Sequence, residues 1–370
     1  MVPALSRYPL KAAATFAFIL CAPSYLALIA VLNIPRSRRP NREWSLKTTI
    51  GCAWLRVFYR FATKIRLQQF HANPKKLGDR YVLVQPGDAK LYQGILEHST
   101  IHAKSMPAVW FPKALEKDDK SQPIVVIHFQ GGAFVTGTDP EETGQLPSRI
   151  FGDKLGATTF YAQYRLSRDE QTRFPAAIQD IVTFYQYVLS QGVSADNVVL
   201  SGDSAGGHLV LAFLKYLHDY KDILPSPRGA MVWSPWIDIT DDAIERYKSS
   251  PQLATDFLPL TLIQWGKDAY LPAGAATSES DRYTSMLKHP FQSNTPIFIN
   301  AGTAELLHEE IRDFADKMKA VPGNQIRFHE TQHAPHDIIV AGGYTGFVKQ
   351  AEEATEVARN FFKIDTLKTL

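Results

Sequence analysis

A chain of 370 residues with only two cysteines cannot rest on a disulfide framework, and it has no Cys/His cluster at metal-ligand spacing. Its net charge of +3, with 45% hydrophobic and 21% charged residues, is ordinary for a globular protein. No basic stripe with interleaved aromatics occurs, so nucleic acid is not an expected partner.

The first informative stretch runs from Ala12 to Ile34 without a charge. At about 1.5 Å rise per residue it can cross a hydrocarbon core about 30 Å thick. Residues 1–34 therefore read as an uncleaved single-pass membrane anchor. A secretory signal core would be shorter and would precede a small-x-small site, whereas this run ends in Ile34-Pro35-Arg36. A buried soluble helix is the third reading. Arg36, Arg38, Arg39 and Arg42 outnumber Arg7 and Lys11 across the run, so the positive-inside rule puts the large domain on the cytosolic side.

Residues 35–80 read as a helical cap segment. Trp44, Leu46, Ile50, Trp54, Leu55, Phe58 and Phe61 recur at three- and four-residue steps, which predicts one amphipathic helix over 41–77. From residue 81 to 370 strands and helices alternate. Strands are expected at 81–84, 108–111, 124–129, 158–162, 198–200, 229–234, 297–301 and 326–329. Helices are expected from Phe174 to Ser190, from Ala205, over 305–320 and over 346–362. Such alternation implies an α/β fold, a mostly parallel sheet with helices on both faces. Residues 240–290, rich in Pro, Ser, Thr and Asp, break the rhythm and read as a cap insertion over the C-terminal edge of the sheet.

The chemistry gathers at Gly202-Asp203-Ser204-Ala205-Gly206-Gly207, between a β-branched run and an apolar helical pattern. A sharp strand-to-helix turn needs small neighbours and projects the central serine over the sheet edge. A serine hydroxyl is a weak nucleophile, so it needs a base, a group to orient that base, and donors for the oxyanion. Glu305 follows the strand at 297–301, with Glu309 and Glu310 a turn further on. His333 and His336 follow the next strand. Gly131-Gly132, after the apolar strand at 124–129, free backbone N–H groups to face a substrate oxygen.

Four stretches together resemble the hormone-sensitive-lipase-like group of α/β-hydrolases, the microbial and fungal carboxylesterases. Gln130-Gly131-Gly132-Ala133-Phe134 is similar to the family's His-Gly-Gly-Gly-Phe, and Gly202–Gly207 is its nucleophile motif. Tyr164-Arg165-Leu166 with Phe174-Pro175-Ala176-Ala177 and Asp180, and Ser234-Pro235-Trp236 with Asp238, match two further segments. The resemblance covers about residues 80–362. It implies an α/β-hydrolase fold with a helical cap and a serine carboxylic-ester hydrolase that works through an acyl-enzyme. Ser204 would be the nucleophile, Glu305 the acid and His336 the base, since the family's acid-to-histidine spacing favours His336 over His333. The N–H groups of Gly132, Ala133 and Ala205, with Gly131, would form the oxyanion hole. No metal or cofactor is implied. The expected substrate is a small or medium ester, with secondary metabolites and acetylated sterols among the family's substrates. The sequence departs from the family at Gln130, Ala133 and Glu305, where His, Gly and Asp are usual. An acyltransferase or dehydratase using the same site, and a non-catalytic small-molecule receptor on the same fold, are the alternatives. Neither substrate identity nor oligomeric state is legible.

Overall fold

A computed structural model describes residues 3–67, 72–115, 123–271 and 277–365. Its centre is one eight-stranded sheet of β1 (Tyr81–Val84), β2 (Met106–Phe111), β3 (Val125–Phe129), β4 (Thr158–Ala162), β5 (Val198–Asp203), β6 (Gly229–Trp233), β7 (Ile297–Gly302) and β8 (Ile326–Thr331). The strand order is β1-β2-β4-β3-β5-β6-β7-β8. β2 pairs antiparallel with β1 and β4, and every other neighbour is parallel.

The central strands are nearly continuous apolar runs because helices cover both faces. Alternate residues go to opposite sides. Ile127, Leu200, Val232 and Ile299 join one core with Phe184 and Phe213. Val126, Val199, Met231 and Phe298 join the other with Phe151, Ile339 and Phe347.

Among the described residues the helices are α1 (Leu10–Leu32), α2 (Leu46–Ile65), α3 (Pro74–Leu77), α4 (Pro140–Thr143), α5 (Gln145–Leu155), α6 (Ala176–Ser190), α7 (Ala205–Asp219), α8 (Asp241–Ser249), α9 (Leu260–Tyr270), α10 (Ser278–Thr284), α11 (His308–Ala320), α12 (Ile338–Thr345) and α13 (Val348–Phe361). The helix expected over 41–77 is shorter. It ends where Arg66 turns left-handed at φ 48°, and residues 68–71 of that span lie outside the described residues. The helix expected from Glu305 begins at His308, which leaves Glu305 in a turn. Helices α4, α5, α8, α9, α10 and α12 add to those read from the sequence. α8, α9 and α10 all lie between β6 and β7.

Candidate active site

The parallel strands β5, β7 and β8 end at one edge of the sheet and deliver the reacting groups. β5 ends at Asp203, α7 begins at Ala205, and Ser204 joins them at φ 51°, ψ −116°. A side chain rarely adopts that conformation, so the surroundings must impose it. They do so by contact. A Cβ on Gly202 would run into the Gly206 carbonyl oxygen, and one on Gly206 would run into that of Phe129. The Ser204 amide donates to Trp233 O at 2.8 Å, which fixes the turn to β6.

The loop after β3 faces the serine. Gly132, Ala133 and Phe134 have φ values of 104°, 51° and 62°. Ala133 thus takes the left-handed conformation that glycine takes freely, so the alanine keeps the loop's path at a cost of about 1–2 kcal/mol. The Gly131 amide differs from expectation. It donates to Asp203 Oδ2 at 2.8 Å, which makes it a tether and leaves Gly132, Ala133 and Ala205 as the candidate donors. The Gln130 side chain is buried without a hydrogen-bond partner among the described residues, while its carbonyl accepts the Tyr164 hydroxyl at 2.9 Å.

Glu305 and His336 come together in the loops after β7 and β8. His336 Nδ1 lies 3.9 Å from Glu305 Oε2, just beyond hydrogen-bond reach, and both residues are buried. Glu305 Oε2 accepts the Ser234 hydroxyl at 2.5 Å and the Gly302 amide at 3.2 Å. Burial, and then the charge of Asp256, push the Glu305 carboxyl well above the usual carboxylate range. Burial pushes His336 down to about 3, so its imidazole rests neutral in the empty site. His333 is exposed and takes no part in the cavity wall. Its amide donates to Thr303 Oγ1 at 2.7 Å. Glu310 is committed elsewhere, to Arg246 and Tyr247.

Asp256, on a loop before α9, was not singled out by sequence. Its Oδ2 accepts the Leu306 amide at 2.6 Å, and its Oδ1 accepts the amides of Phe257 at 2.6 Å and His336 at 3.4 Å. The neighbouring Thr255 hydroxyl donates to Ala304 O at 2.7 Å. These bonds grip Glu305 from both sides and hold the backbone of His336. The Asp256 carbonyl in turn accepts the Arg56 guanidinium of α2.

A second carboxyl pair lies below the site. Asp203 and Asp337 are both buried, and each carboxyl acts on the titration of the other. Burial raises Asp203 to about 7 and also raises Asp337 well above the usual carboxylate range, with Asp203 adding to the effect. His128 Nε2 lies 3.2 Å from Asp203 Oδ1 and is held neutral by burial.

Ser204, His336 and the loop 130–133 open on one cavity of about 300 Å³. Its far wall is apolar, from Trp54, Leu55 and Phe58 of α2 and from Phe257, Leu262 and Ile263. Among the described residues no group of His, Cys, Asp and Glu could hold a metal ion.

A serine on a strand-to-helix turn and a neutral histidine beside a buried carboxyl, with the loop after β3 lining the same cavity, are the arrangement of a hydrolase of the α/β class. The sequence pattern of the α/β hydrolase fold matches residues 126–340, more than half of the chain, and the chain belongs to that family. An acetyl-hydrolase of Streptomyces hygroscopicus is 28% identical over 65% of this chain and 76% of its own length. An esterase of Acinetobacter venetianus is 25% identical over 54% of this chain and 63% of its own length. A solved hormone-sensitive lipase from a metagenome library superposes with a TM-score of 0.57 at 25% identity, covering 70% of this chain and 82% of that one. An esterase/lipase from an uncultured bacterium, 22% identical, has the same fold, with a TM-score of 0.61 over 86% of this chain and 99% of that one. With these relatives the chain stands among the hormone-sensitive-lipase-like carboxylic-ester hydrolases.

Proposed function

We propose that the protein hydrolyses a small or medium carboxylic ester through an acyl-enzyme on Ser204. His336 takes the hydroxyl proton as Oγ attacks the ester carbonyl carbon. The amides of Gly132, Ala133 and Ala205 receive the developing oxyanion. The carbonyl–alkoxy bond then breaks, and the alcohol leaves with the proton from His336. A water molecule, deprotonated by the same histidine, releases the acid. Glu305 orients the imidazole through Nδ1 and stabilises it when it is charged. The 3.9 Å separation closes in that step, since catalytic contacts are often long in an empty site.

The observation that carries this reading is the forced left-handed φ of Ser204 in the same cavity wall as a neutral His336. The name of the acetyl-hydrolase relative supports a short acyl group, as in an acetylated sterol or secondary metabolite. The apolar α1 serves as the membrane attachment. The segment 35–80 and the 240–290 insertion form the cap.

A fluorophosphonate probe, with the labelled peptide located by mass spectrometry, tests the site. Labelling should fall on Ser204 and be lost in His336→Ala. A folded protein that does not label would refute the activated serine and favour a ligand-binding role.

A further inference from the structure

The attachment of α1 decides how the protein meets a membrane. α1 is not tethered by a loose linker. Arg39 donates to Asn33 O and Ile34 O, both at 3.0 Å, and to Trp44 O at 2.6 Å, so its guanidinium staples the end of α1 to the start of the next segment. The Trp44 indole donates to His333 O at 2.6 Å, on the loop that carries His336. α1 then packs against α2. Phe18 stacks on Phe61 with ring centroids 4.1 Å apart, and it touches Trp54 at 6.0 Å. Trp54 also lines the catalytic cavity. A rigid chain of contacts therefore joins α1 to the cavity rim.

The side of α1 away from α2 is apolar and bare. Phe16, Ile19, Leu20, Leu28 and Val31 are exposed, and the most apolar 18 residues of the helix have a mean hydropathy of 2.2. Exposed cations stand beyond both ends, Arg7 before α1 and Arg36 and Arg38 after it. If α1 crossed a bilayer, its packed partner α2 would enter with it, along with the exposed Arg60 and Lys64. Each such charge costs about 2.5–3.5 kcal/mol at the bilayer centre. An orientation along the surface keeps these charges among the headgroups and still covers the apolar side.

We propose that α1 lies in the plane of one membrane leaflet rather than crossing it, and that it thereby holds the rim of the catalytic cavity against lipid. The ester is then a lipophilic one drawn from the bilayer. This second part rests on the esterase reading; the first does not.

Cys21 provides the probe. It is exposed at the midpoint of α1, and the other cysteine, Cys52, is buried. Bimane on Cys21 of the full chain is read in vesicles of phosphatidylcholine and phosphatidylserine. Lipids brominated near the headgroup should quench it several-fold more than lipids brominated near the chain ends. Stronger quenching from the deep bromines would mean a spanning helix and would overturn the proposal. No quenching by either would place α1 in water or against another protein and would overturn it as well.

Delivery is tested with Phe16→Glu/Leu20→Glu. This variant should lose ten-fold or more turnover on a long-chain ester embedded in the vesicles. Turnover of dissolved p-nitrophenyl acetate and fluorophosphonate labelling should stay within two-fold. Equal loss on both esters would overturn delivery from the bilayer. An unmodified protein that turns over neither ester would refute the esterase reading, while the bimane depth would still decide the orientation of α1.

Discussion

The Gly131 amide donates to Asp203 Oδ2 at 2.8 Å, so the residue just before the nucleophile anchors the loop that faces it. Loop and serine are thus set by one carboxyl. Asp203→Ala would leave a buried N–H unpaired, at a cost of about 1–3 kcal/mol, and would free the loop. The expected result is a kcat reduced on the order of 100-fold with KM within a few-fold, as for loss of an oxyanion donor. Asp203→Asn keeps an acceptor and should lose less than 10-fold. Steady-state kinetics on p-nitrophenyl acetate would show it. Equal losses in the two variants would argue against the tether.

The same carboxyl is buried beside Asp337, and that burial has a pH signature. An unfolded aspartate releases its proton near its ordinary value of 3.8, whereas folded Asp203 keeps it to about 7. The folded state therefore binds the extra proton between these values, and the pair's contribution to stability is lost as pH rises through that window. From Asp203 alone the slope is at most about 1.4 kcal/mol per pH unit. Asp337→Asn supplies a permanent donor and still accepts the Val340 amide that caps α12. Urea unfolding at pH 5, 6 and 7 should show the variant gaining on the wild type as pH rises. A difference independent of pH would rule out this coupling of the two carboxyls.

Asp256 makes its hydrogen bonds to the catalytic loops through backbone amides, and its charge acts on Glu305. Asp256→Ala frees the Leu306 and Phe257 amides and loosens the turns of Glu305 and His336. We expect kcat to fall roughly 10–100-fold with KM nearly unchanged, in line with the sensitivity of catalysis to small displacements. Asp256→Asn should restore part of this. It should also move the acid limb of the rate profile to lower pH, because the charge of Asp256 helps to raise Glu305. An unshifted limb in the Asn variant would reduce Asp256 to ordinary scaffolding.

The turn at Ser204 holds strain that activity requires. At φ 51° a glycine is relaxed and an alanine is not. Both Ser204→Gly and Ser204→Ala should abolish turnover, yet the glycine variant should be the more stable by about 1–2 kcal/mol. Thermal unfolding of the two variants side by side would decide it. An alanine variant as stable as the glycine one would mean that the turn relaxes once the hydroxyl is gone.

Local patterns made much of this molecule legible. The strand runs and the glycine-flanked serine follow from residues a few positions apart, and so does the place of Glu305 just after a strand. The end of α2 at Arg66 was not legible, because its apolar periodicity runs past the left-handed residue. Nothing near Asp256 marks its role, since its partners Leu306 and His336 lie 50 and 80 residues away. Gly131 looked like a donor because the glycine pair frees two amides, and only the fold shows which one Asp203 engages. His333 and His336 sit in the same short loop. Their separation into an exposed residue and a cavity residue comes from tertiary packing.

The bond from the Trp44 indole to His333 O spans 289 residues. During synthesis the side of the cavity built from α2 emerges early and has no counterpart until the His336 loop and α12 follow it. At roughly 5–20 residues per second that interval lasts about 15–60 s. Throughout it, the apolar faces of α1 and α2 are available to whatever meets them first. A nascent chain held at a lipid surface over that time would have those faces covered before the far end of the protein exists.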